Sequence, residues 1–220
     1  GKWFTLEFTG NKHDPYSDIG LVSAEGGKDI INLTNSGYMS GYPHFALDGN
    51  AILFTTERYG MRAHASWGSL NDAMLVFLNQ DAYDKYCLSK EDYELRKELE
   101  KEQKKSAGKD TPQDKNKDKK KKYDKKDSNA DEKDDQPKDI VVELKGIEDR
   151  VVRLTPNSSD MGSTIISKDG ETLYYLAAFE GGYDLWKMNL RKKETKLLHK
   201  MDAGWADMQL DKDGKSLFLL

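Results

Sequence analysis

Short runs of apolar residues follow an Asp-Gly step at three places in the chain. The runs are 51–54 (Ala-Ile-Leu-Phe), 172–175 (Thr-Leu-Tyr-Tyr) and 216–219 (Ser-Leu-Phe-Leu). Asp-Gly beside a β-rich run is a strong hairpin signal, because glycine supplies the positive φ that the turn requires. Each pattern therefore predicts a β-strand that begins just after a tight turn.

Two further markers recur at fixed distances from these turns. A Leu-Thr or Leu-His step precedes each Asp-Gly by fourteen positions, in the pairs Thr34 and Asp48, Thr155 and Asp169, and His199 and Asp213. An Asp followed by an apolar run occurs between them, at Asp18, Asp72 and Asp184. The last complete unit, from Asp169 to Asp213, is 44 residues long. This length matches the period of about 40–45 residues of a four-stranded propeller blade.

The repeat predicts an all-β fold, a partial β-propeller of four-stranded antiparallel blades. A β-sandwich with coincidental Asp-Gly turns is the alternative, and the three identical spacings argue against it. The spacing divides the chain into the end of one blade, a full blade, a second full blade and the start of a truncated blade. These parts are residues 1–40, 41–155, 156–200 and 201–220. Because a propeller closes a ring of about four to eight blades, we expect the chain to be a piece of a longer protein.

The second unit is longer than the others and predicts two insertions at blade turns. A short one is expected within residues 61–71, and a long, charged one follows the third strand of the blade. In the long insertion, a capping pattern at Ser89 and several Glu–Lys pairs predict a solvated helix over about 89–105. Residues of about 106–138 are rich in Lys and Asp with few apolar positions, which predicts a disordered loop.

Charge and hydropathy restrict the partners that the chain is expected to have. The net charge is −4, although residues 101–138 hold fourteen Lys against ten acidic residues. The Lys-rich run 119–126 has the composition of a nucleic-acid or lipid patch, but interleaved Asp residues favour a solvated tether. We therefore expect no nucleic-acid partner. No apolar run is long enough to predict a membrane-spanning segment.

The sequence predicts no catalytic, cofactor-binding or metal-binding residue. The four histidines are His13, His44, His64 and His199, and none pairs with another or with Cys87 at a zinc-ligand spacing. Neither a nucleophile elbow nor a phosphate-binding glycine loop is present. We expect His199 to be structural, because it occupies the position of Thr34 and Thr155 in the other units.

Two further residue sets admit a functional and a structural interpretation. Asp14, Asp18 and Asp72 could form a carboxylate site, but two of them are markers of the repeat, and capping of turn amides explains them more simply. Trp67, Trp186 and Trp205 could form a sugar-binding platform. We expect them instead to pack between blades.

The repeat resembles the WD-like propeller repeats of TolB-type and tricorn-type proteins. Longer strings at 57–68, 149–155 and 178–186, together with the charged insertion, resemble the bacterial tricorn-type serine proteases. In that family, propellers precede a PDZ-like domain and a serine protease core related to the C-terminal processing peptidases. The resemblance implies a propeller segment that filters and channels unfolded peptides toward a core outside this chain. It carries no catalytic residue onto residues 1–220.

The same resemblance implies partners and a cellular location. The expected partners are an unfolded peptide or protein substrate and the PDZ and protease domains of the same polypeptide, with self-association into a homo-oligomer as a further expectation. The expected location is the bacterial cell envelope or periplasm, with the cytoplasm as the alternative. The competing functions are a TolB-like envelope propeller that binds a partner protein, the propeller of a prolyl-oligopeptidase-type hydrolase, and a propeller that binds a small ligand.

Overall fold

The computed structural model describes residues 2–10, 15–27, 29–61, 70–107 and 139–220, with side chains of the second helix described as far as residue 103. The chain divides into two compact units. One comprises residues 1–87 and 139–220 and contains all of the sheets described below. The other comprises residues 88–138, of which the structure describes the helical part.

Antiparallel strands follow one another in chain order within each sheet. The first sheet is formed by β1 (Trp3–Phe8), β2 (Asp18–Ser23) and β3 (Ile31–Asn32). The second is formed by β4 (Ser40–Ala46), β5 (Ala51–Thr56), β6 (Asp72–Phe77) and β7 (Val151–Arg153). The third is formed by β8 (Asp160–Ile166), β9 (Thr172–Ala178), β10 (Tyr183–Asn189) and β11 (Glu194–Ala203). A final hairpin joins β12 (Met208–Leu210) to β13 (Leu217–Leu219).

Helical segments occur between strands. Two α-helices follow β6, namely α1 (Gln80–Cys87) and α2 (Lys90–Ala107). Short 3₁₀ helices occupy Leu47–Gly49 and Ile147–Arg150. In the described part of the chain, no helix combines the length and the apolar character that crossing a bilayer requires.

The three Asp-Gly steps form the predicted turns. Gly49, Gly170 and Gly214 have φ of 81°, 71° and 69°, in the left-handed region that glycine adopts without a steric penalty. The strands that follow them are β5, β9 and β13, as the sequence predicts. A Cβ added at Gly170 would lie 2.7 Å from Cδ2 of Leu47, so the turns of the second and third sheets also pack against each other.

The second sheet is buried on both faces, which explains why β5 and β6 are almost continuously apolar. One face contributes Ala51, Leu53, Ala73, Leu75 and Phe77 to a core shared with buried residues of the third sheet. The opposite face contributes Ile52, Phe54, Met74 and Val76 to a core shared with Ile19, Leu21 and Leu33. Full burial of each large side chain stabilises the fold by roughly 1.5–3 kcal/mol. Four-stranded antiparallel sheets packed face to face in chain order are the blades of a partial β-propeller.

The long insertion departs from its predicted outline. The predicted helix over about 89–105 corresponds to α2, Lys90–Ala107, while α1 was not predicted. Ser106 and Ala107, assigned above to the disordered loop, belong to α2. The remainder of that loop, 108–138, lies outside the described residues, as do 62–69 of the short insertion.

A buried arginine fixes the point at which the chain returns from the insertion to β7. Arg150 is 3% exposed and donates hydrogen bonds to the backbone carbonyls of Phe77, Lys145 and Glu143. The Glu143 carboxylate in turn accepts a hydrogen bond from the backbone N–H of Gln80 at 2.8 Å, at the start of α1. Hydrogen bonds thus connect residues 143–150, which lead back to β7, both to the end of β6 and to the start of α1.

Candidate functional site

The marker aspartate of the second sheet binds neighbouring side chains tightly. Asp72, at the start of β6, is fully buried. Its Oδ1 accepts hydrogen bonds from Nε and Nη2 of Arg153 at 3.0 and 2.8 Å and from Oγ1 of Thr155 at 2.9 Å. Its Oδ2 accepts a hydrogen bond from Oγ of Ser158 at 2.7 Å. The carboxylate therefore connects the third strand of the sheet to the end of the fourth.

The first sheet repeats this arrangement around Asp18. Its carboxylate accepts hydrogen bonds from Oγ1 of Thr34, from Nδ2 of Asn32 and from the backbone N–H of Ser36, at 2.8–2.9 Å. In both sheets the threonine hydroxyl oxygen also accepts a hydrogen bond from the backbone N–H that follows the aspartate, at 3.1–3.2 Å. The repeated Asp and Thr are thus a strand-to-strand latch, which favours the structural interpretation. Asp14 lies outside the described residues.

The third sheet uses its marker aspartate differently. Asp184 accepts hydrogen bonds from the backbone N–H groups of Met201 and Asp202 at 2.7 and 2.9 Å. Hydrogen bonds from these two N–H groups, first that of Asp202 and then that of Met201, lower the pKa of the Asp184 carboxyl. His199 is exposed and opposite Leu185, where the β10–β11 register shifts. In the third sheet, backbone amides therefore take the place at the aspartate that Thr34 and Thr155 occupy in the other sheets, and His199 is a residue of the paired strand β11.

Side chains that are not held by the repeat converge on a cavity of about 550 Å³ beside the first strands of the second and third sheets. We call this cavity the first-strand cleft. It is lined by residues 42–44 of β4, 161–164 of β8, Tyr183 and residues 205–207 before β12. The pairing of β4 with β5 and of β8 with β9 shifts register at these lining residues. Such bulges bend a strand and redirect its side chains. The same irregularity in consecutive sheets therefore shapes the cleft.

Three large aromatic side chains, Tyr42, Tyr183 and Trp205, line the first-strand cleft. Tyr42 is 80% exposed and Trp205 is 73% exposed. Tyr42 has a φ of 54°, a strained conformation for a bulky residue of the kind that clusters at functional sites. Tyr183 donates a hydrogen bond from its hydroxyl to Asp160 at 2.9 Å. Burial, followed by this hydrogen bond and the charge of Asp160, raises the pKa of Tyr183.

One histidine lies in the cleft. His44 is half-buried, and its Nδ1 lies 3.3 Å from the carbonyl oxygen of Tyr42. Burial lowers the pKa of the imidazole below its ordinary value of 6.5, against the opposing effect of nearby backbone carbonyls. The ring is therefore uncharged at neutral pH. It adds no charge to the lining of the cleft.

The tryptophans predicted to pack between blades divide into three cases. Trp186 packs against the core of the second and third sheets and meets Phe179 edge-on, with ring centroids 5.2 Å apart. Trp205 does not pack in this way, because it lies in the turn before β12, with its ring exposed at the cleft. The prediction for Trp205 is therefore wrong. Trp67 lies outside the described residues.

The remaining histidines and the cysteine lie either outside the described residues or at the surface. His13 and His64 lie outside the described residues, and Cys87 is exposed at the end of α1. Within the described part of the chain, no three His, Cys, Asp or Glu side chains lie close enough to hold a metal ion.

No motif in the sequence indicated the cleft residues Tyr42, Tyr183 and Asp207. One signal was present. Gly41 and Gly162 each precede an Asp-Gly step by seven positions. Tyr42 and Ser163, which follow these glycines, therefore occupy equivalent positions in the first strands of two blades. Tyr183 comes from a different strand, and only the folded arrangement brings it to the same place.

Comparison with known proteins supports the architecture. The chain matches no protein-family model, and no curated protein is significantly similar to it. Among solved structures, the tricorn protease is similar over 99% of this chain, with a TM-score of 0.53 and 10% identity. TolB from Acinetobacter baumannii is similar over 99%, with a TM-score of 0.50 and 11% identity. The chain spans 18% of the length of the former and 35% of the latter. At this identity the likeness shows the fold alone: the chain forms a partial β-propeller of the TolB and WD-like kind.

Proposed function

We propose that the chain is a propeller segment of a tricorn-type serine peptidase and that it admits unfolded polypeptide toward a protease core elsewhere in the same protein. The observation that carries this proposal is the first-strand cleft of about 550 Å³, an open, aromatic-lined surface where consecutive sheets meet. Blades of a propeller surround a central channel. A channel of this kind admits an extended chain and excludes a folded one.

The edges of the sheets offer a second type of contact. β4 and β8 are edge strands of their sheets, and both border the cleft. An extended peptide binds such an edge by main-chain hydrogen bonding, while pockets receive its side chains. The fold likeness to the tricorn protease supports the same function. We propose that residues 1–40 are the end of one blade, 41–155 and 156–200 are full blades, and 201–220 are the start of a truncated blade.

The partners proposed for the whole protein follow from this function. They are an unfolded peptide or protein substrate and the PDZ and protease domains of the same polypeptide, with self-association into a homo-oligomer. The proposed location is the bacterial cell envelope, with the cytoplasm as the alternative.

The first experiment labels the natural full-length protein with a fluorophosphonate, which reacts with an activated serine. The proposal expects a labelled serine outside these 220 residues. The second experiment replaces Ser163, which lines the cleft, with tryptophan to fill it. We expect cleavage of a long unfolded polypeptide to slow by at least tenfold, while cleavage of a short fluorogenic peptide is unchanged. Equal effects on both substrates, or no labelled serine, would contradict the proposal.

A TolB-like protein-binding module is the second candidate, because TolB has a similar fold over the same 99% of the chain. The two candidates differ in the labelling experiment. A full-length protein without a reactive serine that still binds a folded partner protein at this cleft would favour the binding module.

A further inference from the structure

The first-strand cleft has an unusual distribution of charge. Among its described lining residues there is no Lys or Arg, and the one histidine is held uncharged by burial at neutral pH. Carboxylates occupy the rim instead. Asp207 lines the cleft and is exposed, and Asp160 precedes the lining residue Met161. The rim is therefore negative and has no cation of its own in the described lining.

The aromatic rings of the cleft are accessible to a ligand. Tyr42 and Trp205 expose most of their surfaces rather than packing against neighbouring sheets. The electron-rich face of an exposed Trp or Tyr attracts a cation that approaches within about 6 Å of the ring centroid. Elsewhere in this protein such rings already hold cations: Arg191 and Lys193 lie 5.4 and 4.8 Å from the ring centroid of Tyr86. The rings of the cleft have no comparable partner among its lining residues.

The geometry also orients one of the rim carboxylates. The hydroxyl of Tyr183 donates to Oδ1 of Asp160 at 2.9 Å, which holds this carboxylate beside the aromatic surface. A cationic side chain that lay against the rings would therefore meet a carboxylate already in position. Long lysine and arginine stems also match the cleft, because their methylene groups cover apolar surface while the charged end stays at the polar rim.

We propose that the first-strand cleft binds the lysine or arginine side chain of an extended peptide, with Tyr42 and Trp205 against the cation and Asp207 and Asp160 opposite its charge. This inference rests on the proposed function and specifies the substrate class of the same site: unfolded polypeptide that carries basic residues. A neutral or acidic side chain lacks both the cation–ring attraction and the attraction to the rim carboxylates. It binds the cleft more weakly.

The experiment measures binding of two fluorescein-labelled extended peptides by fluorescence anisotropy. The peptides are rich in Ser and Thr and are identical, except that one has a central lysine and the other a central glutamine. We expect the lysine peptide to bind the wild-type protein about tenfold more tightly at low salt, since a ring contact and a rim carboxylate act together. The preference is expected to shrink as salt screens the charges.

Three variants identify the residues responsible. Asp207→Asn removes a rim charge, and Tyr42→Asn removes a ring with a residue that tolerates the positive φ of this position. Asp213→Asn is the matched control, because Asp213 is an exposed carboxylate that does not line the cleft. The first two variants are expected to lose most of the preference for lysine, and the control is expected to keep it. Urea denaturation determines whether each variant is folded. If Tyr42→Asn does not fold, Asp207→Asn alone tests the inference.

The outcomes separate this inference from the proposed function. If both peptides bind the wild-type protein equally well, the cationic preference is refuted and peptide admission stands. If Asp213→Asn abolishes the preference as fully as Asp207→Asn, the overall charge of the protein determines it, and the cleft assignment is refuted. If neither peptide binds at any salt concentration, both the inference and the proposed function fail.

Discussion

Replacing Asp72 with asparagine removes the charge of the latch while preserving its size. In the native structure the carboxylate accepts hydrogen bonds from Arg153, Thr155 and Ser158 and is fully buried. An asparagine side chain has one carbonyl oxygen and one NH₂ group. If the NH₂ group takes the place of Oδ2, the hydroxyl of Ser158 can turn and accept a hydrogen bond from it. The loss that remains is electrostatic, because the charge of Arg153 is left without its counter-ion.

The magnitude follows from the burial of the two partners. Removal of one partner from a fully buried ion pair costs about 3–5 kcal/mol. The Arg153 side chain is 33% exposed, so water partly replaces the lost carboxylate, and we expect a destabilisation of about 3 kcal/mol. For a unit of this size, each kcal/mol lowers Tm by roughly 2–4 °C, which predicts a decrease of about 6–12 °C.

Urea denaturation followed by circular dichroism measures this change, with Asp213→Asn as the control for the same substitution at an exposed turn. The control is expected to lie within about 0.5 kcal/mol of the wild-type protein. A free energy of unfolding for Asp72→Asn within 1 kcal/mol of the wild-type value would refute the latch. It would mean that strand pairing, Arg150 and core packing hold β7 in place without the carboxylate.

Three further predictions concern other parts of the fold. Gly182→Ala is expected to destabilise the protein by about 1–3 kcal/mol, because the new Cβ would lie 2.5 Å from the backbone carbonyl carbon of Asp202. Gly37→Ala is the control and should change thermal stability little, because no heavy atom lies within 4 Å of its new Cβ. Burial raises the pKa of Tyr175 to about 12, so the native state holds the phenol proton more tightly than the unfolded state does. The free energy of unfolding should therefore fall by about 2–3 kcal/mol as the pH rises from 10 to 12. A Tyr175→Phe variant should lose that part of the pH dependence in urea titrations at each pH. Arg150→Met should remove three hydrogen bonds to backbone carbonyls and cost about 2–4 kcal/mol. Faster proteolysis of residues 139–146 would detect this loss, and unchanged proteolysis would show that the arginine is dispensable.

The strands and turns were predictable because their causes are local. A few adjacent residues determine the positive φ of the Asp-Gly turn and the apolar runs of β5 and β9. The fixed period repeats this pattern three times, which makes it easy to recognise. Helix α1 is a different case. Its rings at Tyr83 and Tyr86 pack on Phe77, with centroids 5.7 and 5.1 Å away, and this contact has no periodic pattern in the sequence.

The first-strand cleft was not predictable for a related reason. Its lining comes from two bulged strands, a turn and the start of β10, which are separated by up to 165 positions in the chain. The exposure of Trp205 also depends on where the neighbouring sheets end. Tryptophan is usually an efficient core residue, so composition alone favoured burial. The repeat does identify equivalent positions, but it does not say which of them remain open.

The pairing of β6 with β7 has a consequence for how the protein folds. The two strands are neighbours in one sheet, although residues 78–150 separate them in sequence. Closing a flexible loop costs about 0.6 kcal/mol more for each doubling of its length, so this closure costs about 2–3 kcal/mol more than an ordinary hairpin turn. The connections within β4, β5 and β6 are much shorter, the longest being residues 57–71, so this meander can form first. We therefore expect the fourth strand to dock late, with Arg150 and Asp72 acting after the transition state, so that their loss accelerates unfolding more than it slows folding.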